Sequence, residues 1–171
     1  FIQSQVFELC RNRQSDGLEW FTQGQWPSHE HVPILNKLLD EKHKVLMVAD
    51  ARRFYLRAGV DYCVVFNPNP FTDAAEKLAP GELLDWLRTR GYDFIHVDWG
   101  EMRRLRKSRY GFWKSIDEKL FESLVKEGLT PVEQFRIEGR ATPYATLFAI
   151  PPAPLAASQR PARSTQPAAR L

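Results

Sequence analysis

The sequence predicts an α/β fold, a Rossmann-like three-layer sandwich with a mostly parallel sheet of about five strands and an antiparallel C-terminal strand pair. The apolar run 45–49, VLMVA, suits a strand that is buried on both faces of a parallel sheet. A second apolar run, 63–66, follows a segment that fits a short helix, and two strands joined in this way form a right-handed crossover. The last two predicted strands are separated by the short linker EGRATP, which favours antiparallel pairing.

The elements alternate in the order that is typical of such a fold. Ser28 can cap a helix that runs to about residue 43, and Asp50 can cap a helix over 51–56 that stops before Gly59. The first helix has an apolar face of Val32, Leu35, Leu38 and Leu39. A proline-rich loop at 67–71 is followed by a helix from Pro80 to Gly91, whose inward side chains are Leu83, Leu84, Trp86 and Leu87. A strand over 93–98, a turn at Trp99 and Gly100 and a helix over 101–107 come next. The last predicted elements are a helix over 116–127, with Ile116, Leu120, Phe121, Leu124 and Val125 inward, and strands over 132–137 and 146–150.

Composition divides the chain into three parts. Residues 1–27 have no clean period and are expected to form a lead-in whose aromatic side chains pack on the domain. Residues 28–150 are predicted to form the α/β domain. Residues 151–171 are mostly Pro, Ala, Arg, Ser and Gln, so this tail is predicted to be disordered. Because the chain begins at Phe1 without an initiator Met, we expect it to be a piece of a longer protein.

The net charge of +3 does not indicate nucleic-acid binding. Residues 1–150 carry 21 basic and 21 acidic side chains, and the whole excess is Arg160, Arg163 and Arg170 in the tail. A neutral body lacks the basic surface that a phosphate backbone requires. No nucleic-acid partner is therefore expected.

Neither a cofactor nor a metal site is predicted. The turn after the first strand, VADARR, has no glycine, so it does not fit a dinucleotide pyrophosphate. His29, His31 and His43 have no acidic or cysteine partner at ligand spacing and are interpreted as exposed polar positions. The two cysteines are too few for a disulfide framework, and Cys63, in an apolar run, is predicted to be a buried, inert thiol.

Polar side chains at the carboxyl ends of the strands are the candidates for a ligand site, since open α/β sheets bind ligands there. Asp50, 67–69 and 98–101 have this position. Asp50 and Asp98 could face one cleft and hold a ligand or metal. The alternative, which we favour, is that each carboxylate caps the helix that follows it.

A basic and aromatic cluster is the second candidate. Arg103, Arg104, Arg106, Lys107 and Arg109 are followed by Tyr110, Phe112 and Trp113. Together these side chains could hold a phosphate, a glycan or anionic lipid headgroups. The favoured alternative is that they form the solvent-exposed face of a short helix whose Met102 and Leu105 point inward.

Three stretches carry a family resemblance: VLMVADARRFYL, YDFIHVDWGEMRRLRKSRYGF and SIDEKLFESLVKEG. In this order they resemble the C-terminal extramembrane domain of bacterial GT-C membrane glycosyltransferases, which are related to protein mannosyltransferases and aminoarabinose transferases and use polyprenyl-phosphate sugars. The resemblance covers about residues 18–150. The motif positions are Asp50, Arg52, Tyr55, Asp98, Trp99, Glu101, Arg106, Tyr110 and Gly111. All of them except Gly111, together with Asn67 from the strand-end argument, form the predicted ligand-binding set.

The resemblance implies a non-catalytic domain, because the catalytic acid of that family lies in the membrane part and matches no residue of this chain. The expected partners are the membrane part of the same polypeptide and an acceptor glycan or anionic lipid headgroups. The expected location is the outer side of a bacterial cell membrane. Two other hypotheses remain open: a free-standing α/β enzyme or small-ligand-binding domain that uses Asp50 and Asp98, and an interaction module that binds anionic partners through 103–109.

Overall fold

The computed structural model describes residues 31–51, 55–65 and 69–152. The helices are α1 (His31–Leu38), α2 (Pro70–Lys77), α3 (Pro80–Thr89), α4 (Trp99–Lys107) and α5 (Glu118–Lys126). The strands are β1 (Lys44–Val48), β2 (Gly59–Cys63), β3 (Phe94–Asp98), β4 (Thr130–Phe135) and β5 (Ala145–Ala149). None of the helices among these residues combines the length and apolar character that a membrane crossing requires. The predicted lead-in, and the tail beyond Pro152, lie outside the described residues.

One five-stranded mixed sheet, in the order β2-β1-β3-β5-β4, confirms the predicted fold class. The β1 strand pairs in parallel with β2 and β3, whereas β5 is antiparallel to both β3 and β4. Four strands therefore share one direction and β5 alone is reversed. The predicted C-terminal hairpin is correct, with its strands one or two residues earlier than expected.

Two apolar cores lie on opposite faces of the sheet. The larger core joins α2, α3, α4 and α5 to one face and includes Leu46, Phe71, Leu83 and Phe121. The smaller core places α1 and the residue after it on the other face, where Leu35 and Leu39 pack with Met47 and Leu147. Side-chain alternation along β3 sends Ile95 and Val97 to the larger core and leaves His96 on the α1 face.

The second strand was predicted too late in the chain. The prediction followed the apolar run 63–66, but β2 spans Gly59–Cys63 and pairs with β1 from Lys44↔Gly59 to Val48↔Cys63. Side chains of an edge strand alternate between the solvent and the sheet's covered face, and here half-buried Val60 and Tyr62 flank exposed Asp61. Cys63 is fully buried as predicted, and burial raises the pKa of its thiol to about 12.

The crossover between β1 and β2 is described at 49–51 and 55–58, and these residues contain no α-helix. The predicted helix over 51–56 falls partly on residues 52–54, which lie outside the described chain. Asn36 of α1 connects to this crossover, because its side chain donates to the Tyr55 carbonyl (2.7 Å) and accepts from the Arg57 N–H (3.0 Å).

Two helices also differ from expectation. The first helix, α1, ends at Leu38 and not near residue 43. Beyond it, the Asp40 and Lys42 N–H groups donate to the side chains of His43 and Asp40, and these bonds replace the backbone hydrogen bonds of a helix. The predicted loop at 67–71 is described from Asn69 on, and there α2 begins: the Asn69 side chain accepts from the Phe71 N–H and Pro70 starts the helix.

The other helices agree closely with the sequence. Pro80 starts α3, and Leu83, Leu84 and Leu87 are buried as expected. The turn predicted at Trp99 and Gly100 is instead the first part of α4. In α5, Phe121 and Leu124 are buried, but Val125 is 39% exposed, so its predicted inward position is wrong.

Candidate functional site

Asp98 ends β3 and caps α4. Its carboxylate oxygen Oδ1 accepts a hydrogen bond from the Glu101 N–H at 2.8 Å, and the residue is only 4% exposed. A negative charge at this position also interacts favourably with the helix dipole. The favoured capping interpretation is therefore confirmed for Asp98.

Replacement of Asp98 tests whether helix capping is the main role of its side chain. Asp98→Ala is expected to lower the free energy of unfolding by ~1 kcal/mol, and Asp98→Asn by much less, because an amide oxygen also accepts the N–H bond. Urea unfolding of both variants measures the difference. If both variants were instead as stable as the unchanged protein, or more stable, the carboxylate would belong to a ligand site in which it is repelled by a neighbouring negative charge.

Trp99 and Arg106 hold together the elements around this cap. The indole Nε1–H of Trp99, a buried side chain, donates to Thr146 Oγ1 at 2.9 Å and so joins α4 to β5. The Arg106 guanidinium donates to the carbonyl oxygens of Ile116 (2.5 Å) and Trp113 (3.3 Å). Both residues therefore serve the local architecture.

The basic side chains of α4 are largely paired with acidic ones. Arg104 donates hydrogen bonds to Glu101, three residues earlier in the helix, and these bonds raise the pKa of its guanidinium. Arg103 and Arg106 lie 3.5 and 3.7 Å from the Glu118 carboxylate oxygens. Met102 and Leu105 are buried, as expected for a helix with one solvent-exposed face. Phe112 and Trp113 pack against the larger core. Two carboxylates, Glu101 and Glu118, therefore offset only part of the positive charge of this surface.

The other predicted site residues are not gathered around Asp98. Tyr110 is 52% exposed and its hydroxyl accepts from the Arg109 guanidinium at 2.9 Å. Tyr55 is half-buried in the crossover beside α1. Arg52 and Asn67 lie outside the described residues.

Asp50 lies in a different group, the His–Asp cluster of His31, Asp50 and His96. The three residues are 0%, 3% and 0% exposed, and one ligand atom from each lies within 4.8 Å of the others. His31 Nε2 is 3.7 Å from Asp50 Oδ2, and the His31 and His96 rings stack with centroids 4.9 Å apart. The expectation that His31 is an exposed polar residue is therefore wrong.

Each member of the His–Asp cluster comes from a different element. His31 belongs to α1, His96 is the central residue of β3, and Asp50 follows β1. The residue between β1 and Asp50, Ala49, has a φ of 62°, a left-handed conformation that is unfavourable for a side chain with a Cβ. Such strain is found where the surrounding structure holds a functional geometry.

Two sequence signals for this cluster were available. His31 lies four and eight residues before Leu35 and Leu39, which places it on the buried stripe of its helix. His96 occupies an inward position in the apolar strand FIHVD. Their convergence with Asp50 depends on tertiary structure, which spacing along the chain does not reveal.

An open groove of about 580 Å³ lies between α4, α5 and the β4–β5 hairpin. Trp99, Phe121 and Phe148 line it with aromatic surface, and Arg103 and Glu118 contribute charges of opposite sign. These two charges pair with each other, so they add no net charge to the groove.

Comparison with known proteins gives no match to a protein family, to a curated protein or to a solved structure.

Proposed function

We propose that this chain is a non-catalytic, extracytoplasmic domain of a bacterial membrane glycosyltransferase that uses a polyprenyl-phosphate sugar donor. One observation carries the proposal: the residues of the DWGEMRRLR motif serve the fold. Asp98 caps α4, Trp99 bonds to Thr146, and Arg106 bonds to backbone carbonyl oxygens. Side chains engaged in this way are not free to bind and activate a sugar.

In this proposal the membrane part of the same polypeptide is the partner of the domain. The domain contributes to the stability of the parent protein or to the access of the acceptor. An acceptor glycan or anionic lipid headgroups would meet the exposed side of α4 and the segment after it, where Arg109 and Tyr110 lie together.

The two other hypotheses have less support. A free-standing enzyme would need Asp98 for chemistry, but that carboxylate is buried and caps a helix. An interaction module would depend on the positive charge of residues 103–109 alone. Three of its five basic side chains, Arg103, Arg104 and Arg106, are each close to a carboxylate, which weakens the attraction for an anionic partner.

The test uses the protein encoded by the complete reading frame. In membranes, Asp98→Asn and Glu101→Gln are expected to keep sugar transfer per folded molecule within about two-fold of the unchanged protein, because neither residue touches the reacting groups. A catalytic carboxylate would cost ~10²–10⁴-fold. A loss of that size in a folded variant would contradict the proposal.

The isolated 171-residue chain provides a second test. It is expected to transfer no sugar and to hydrolyse no nucleotide.

The reading frame upstream of Phe1 should encode several apolar segments of about 20 residues each. A start codon directly before Phe1 would contradict a membrane-embedded parent.

A further inference from the structure

We propose that the His–Asp cluster binds one divalent transition-metal ion, with Zn²⁺ as the best fit. The ligands are one ring nitrogen of His31, one carboxylate oxygen of Asp50 and one ring nitrogen of His96. These atoms already lie within 4.8 Å of one another. The site includes Asp50, one of the motif positions, but none of Asp98, Trp99 and Arg106, whose contacts carry the proposed function, and it stands independently of that function.

The polar atoms of His31 provide the first argument. Both of its ring nitrogens are buried, and neither has a hydrogen-bond partner among the described residues. The Asp50 oxygen at 3.7 Å is too far for a hydrogen bond but close enough to share an ion. A buried polar group without a hydrogen-bond partner is unfavourable, and a bound cation would satisfy one ring nitrogen of His31.

The donor set indicates which ion fits. Imidazole nitrogen and carboxylate oxygen together suit Zn²⁺ and other first-row transition metals, whereas Ca²⁺ and Mg²⁺ prefer oxygen donors alone. With metal–ligand bonds of 2.0–2.1 Å, two ligands of a tetrahedral site are about 3.3 Å apart. The His31–Asp50 separation of 3.7 Å is near this value. Three protein ligands leave a fourth position for water.

The surroundings favour binding as well. Phe135 and Tyr144 pack around the His31 ring, with centroids 5.5 and 5.9 Å away, and this apolar wall strengthens the attraction between the ion and the carboxylate. Asp50 directly follows the strained Ala49 and is buried. Ala51, the next residue, is exposed, so the site lies close to the surface.

The histidine stack predicts how the site responds to the ion. The two rings are 24° from parallel, so their in-plane lone pairs point side by side and do not converge. Rotation of one ring about its Cβ–Cγ bond, a torsion with broad minima, would bring both nitrogens onto one ion. Binding should therefore break the stack.

The test begins with the complete chain, stripped of metal by a chelator and titrated with Co²⁺ and then with Zn²⁺. We expect one ion per chain, visible d–d absorption of four- or five-coordinate Co²⁺, its loss when Zn²⁺ is added, and a higher melting temperature with Zn²⁺. His31→Gln, His96→Gln and Asp50→Asn should each weaken affinity by at least about 100-fold, since outer-shell partners alone are worth 10–100-fold.

His43→Gln is the matched control, because it removes a partly exposed histidine that bonds to Asp40. It should bind both ions as the unchanged protein does. Undiminished binding in a folded His31→Gln or His96→Gln variant would overturn the proposal.

NMR of the unchanged protein keeps the test decisive if the site variants do not fold. The imidazole resonances of His31 and His96 should shift on Zn²⁺ addition, with loss of the mutual ring-current effect, while those of His43 remain. Absence of binding to the folded protein, or shifts confined to His43, would show that the His–Asp cluster is only a part of the core.

Discussion

The Phe121→Ala variant is expected to lose ~3–5 kcal/mol of unfolding free energy, as is typical when a buried phenylalanine is truncated to alanine. Phe121 is 2% exposed. Its ring meets Trp99 at 5.2 Å in an edge-to-face arrangement and stacks on Phe148 at 5.5 Å. The side chain thus joins α5 to α4 and β5 at once, and its loss leaves a cavity that three separate elements must close.

Urea unfolding of Phe121→Ala and Val125→Ala measures this effect. Val125 lies four residues later on the same helix and is 39% exposed, so its truncation should cost less than ~0.5 kcal/mol. Similar losses in the two variants would show that α5 is rotated so that Val125 also faces the core. The comparison also tests the sequence pattern, which placed Val125 inward.

The elements that could be predicted are those whose burial pattern is simple. The β1 strand is an unbroken apolar run, and α3 has a proline start and three buried leucines. Such patterns arise from burial alone and need no knowledge of neighbours. The same holds for the cap at Asp98, because a carboxylate directly before a helix has a local role.

The elements that were missed depend on position in the fold. The β2 strand lies at a sheet edge, so its outer residues remain polar and its apolar signal is weak. The start of α2 did carry a local signal, because asparagine followed by proline fits the first positions of a helix, but a second proline two residues earlier favoured a loop.

The His–Asp cluster could not be predicted from spacing. Its residues lie 19 and 46 positions apart in the chain, and the adjacency of β1 and β3 in the sheet brings two of them together. Met47 pairs with His96, which places the β3 histidine beside the strand that leads to Asp50. The helix α1 then brings His31 onto the same face. Each step is tertiary, whereas the cap at Asp98 is complete within four residues.

Arg106→Ala is expected to cost about 2 kcal/mol, the usual range for losing hydrogen bonds from a charged donor. The guanidinium donates to the carbonyl oxygens of Trp113 and Ile116 and lies 3.7 Å from Glu118. It therefore fixes the segment between α4 and α5, and through Ile116, which is fully buried, it fixes part of the larger core. Urea unfolding at low and high salt measures the loss.

Arg103→Ala is the matched control, because Arg103 lies 3.5 Å from the same Glu118 carboxylate but has a side chain that is 44% exposed. An exposed ion pair contributes ~0.2–1 kcal/mol and is screened by salt, so its small effect should vanish at high salt. The Arg106 effect should persist, since hydrogen bonds to partly buried carbonyl oxygens are little affected by ions in solution. Arg106→Lys should recover only part of the loss, because Nη2 donates to both carbonyl oxygens while Nη1 lies near Glu118, and a single ammonium nitrogen cannot occupy both positions. Full recovery by lysine, or a loss that salt removes, would mean that Arg106 acts through its charge on Glu118 and not through the backbone of the segment it spans.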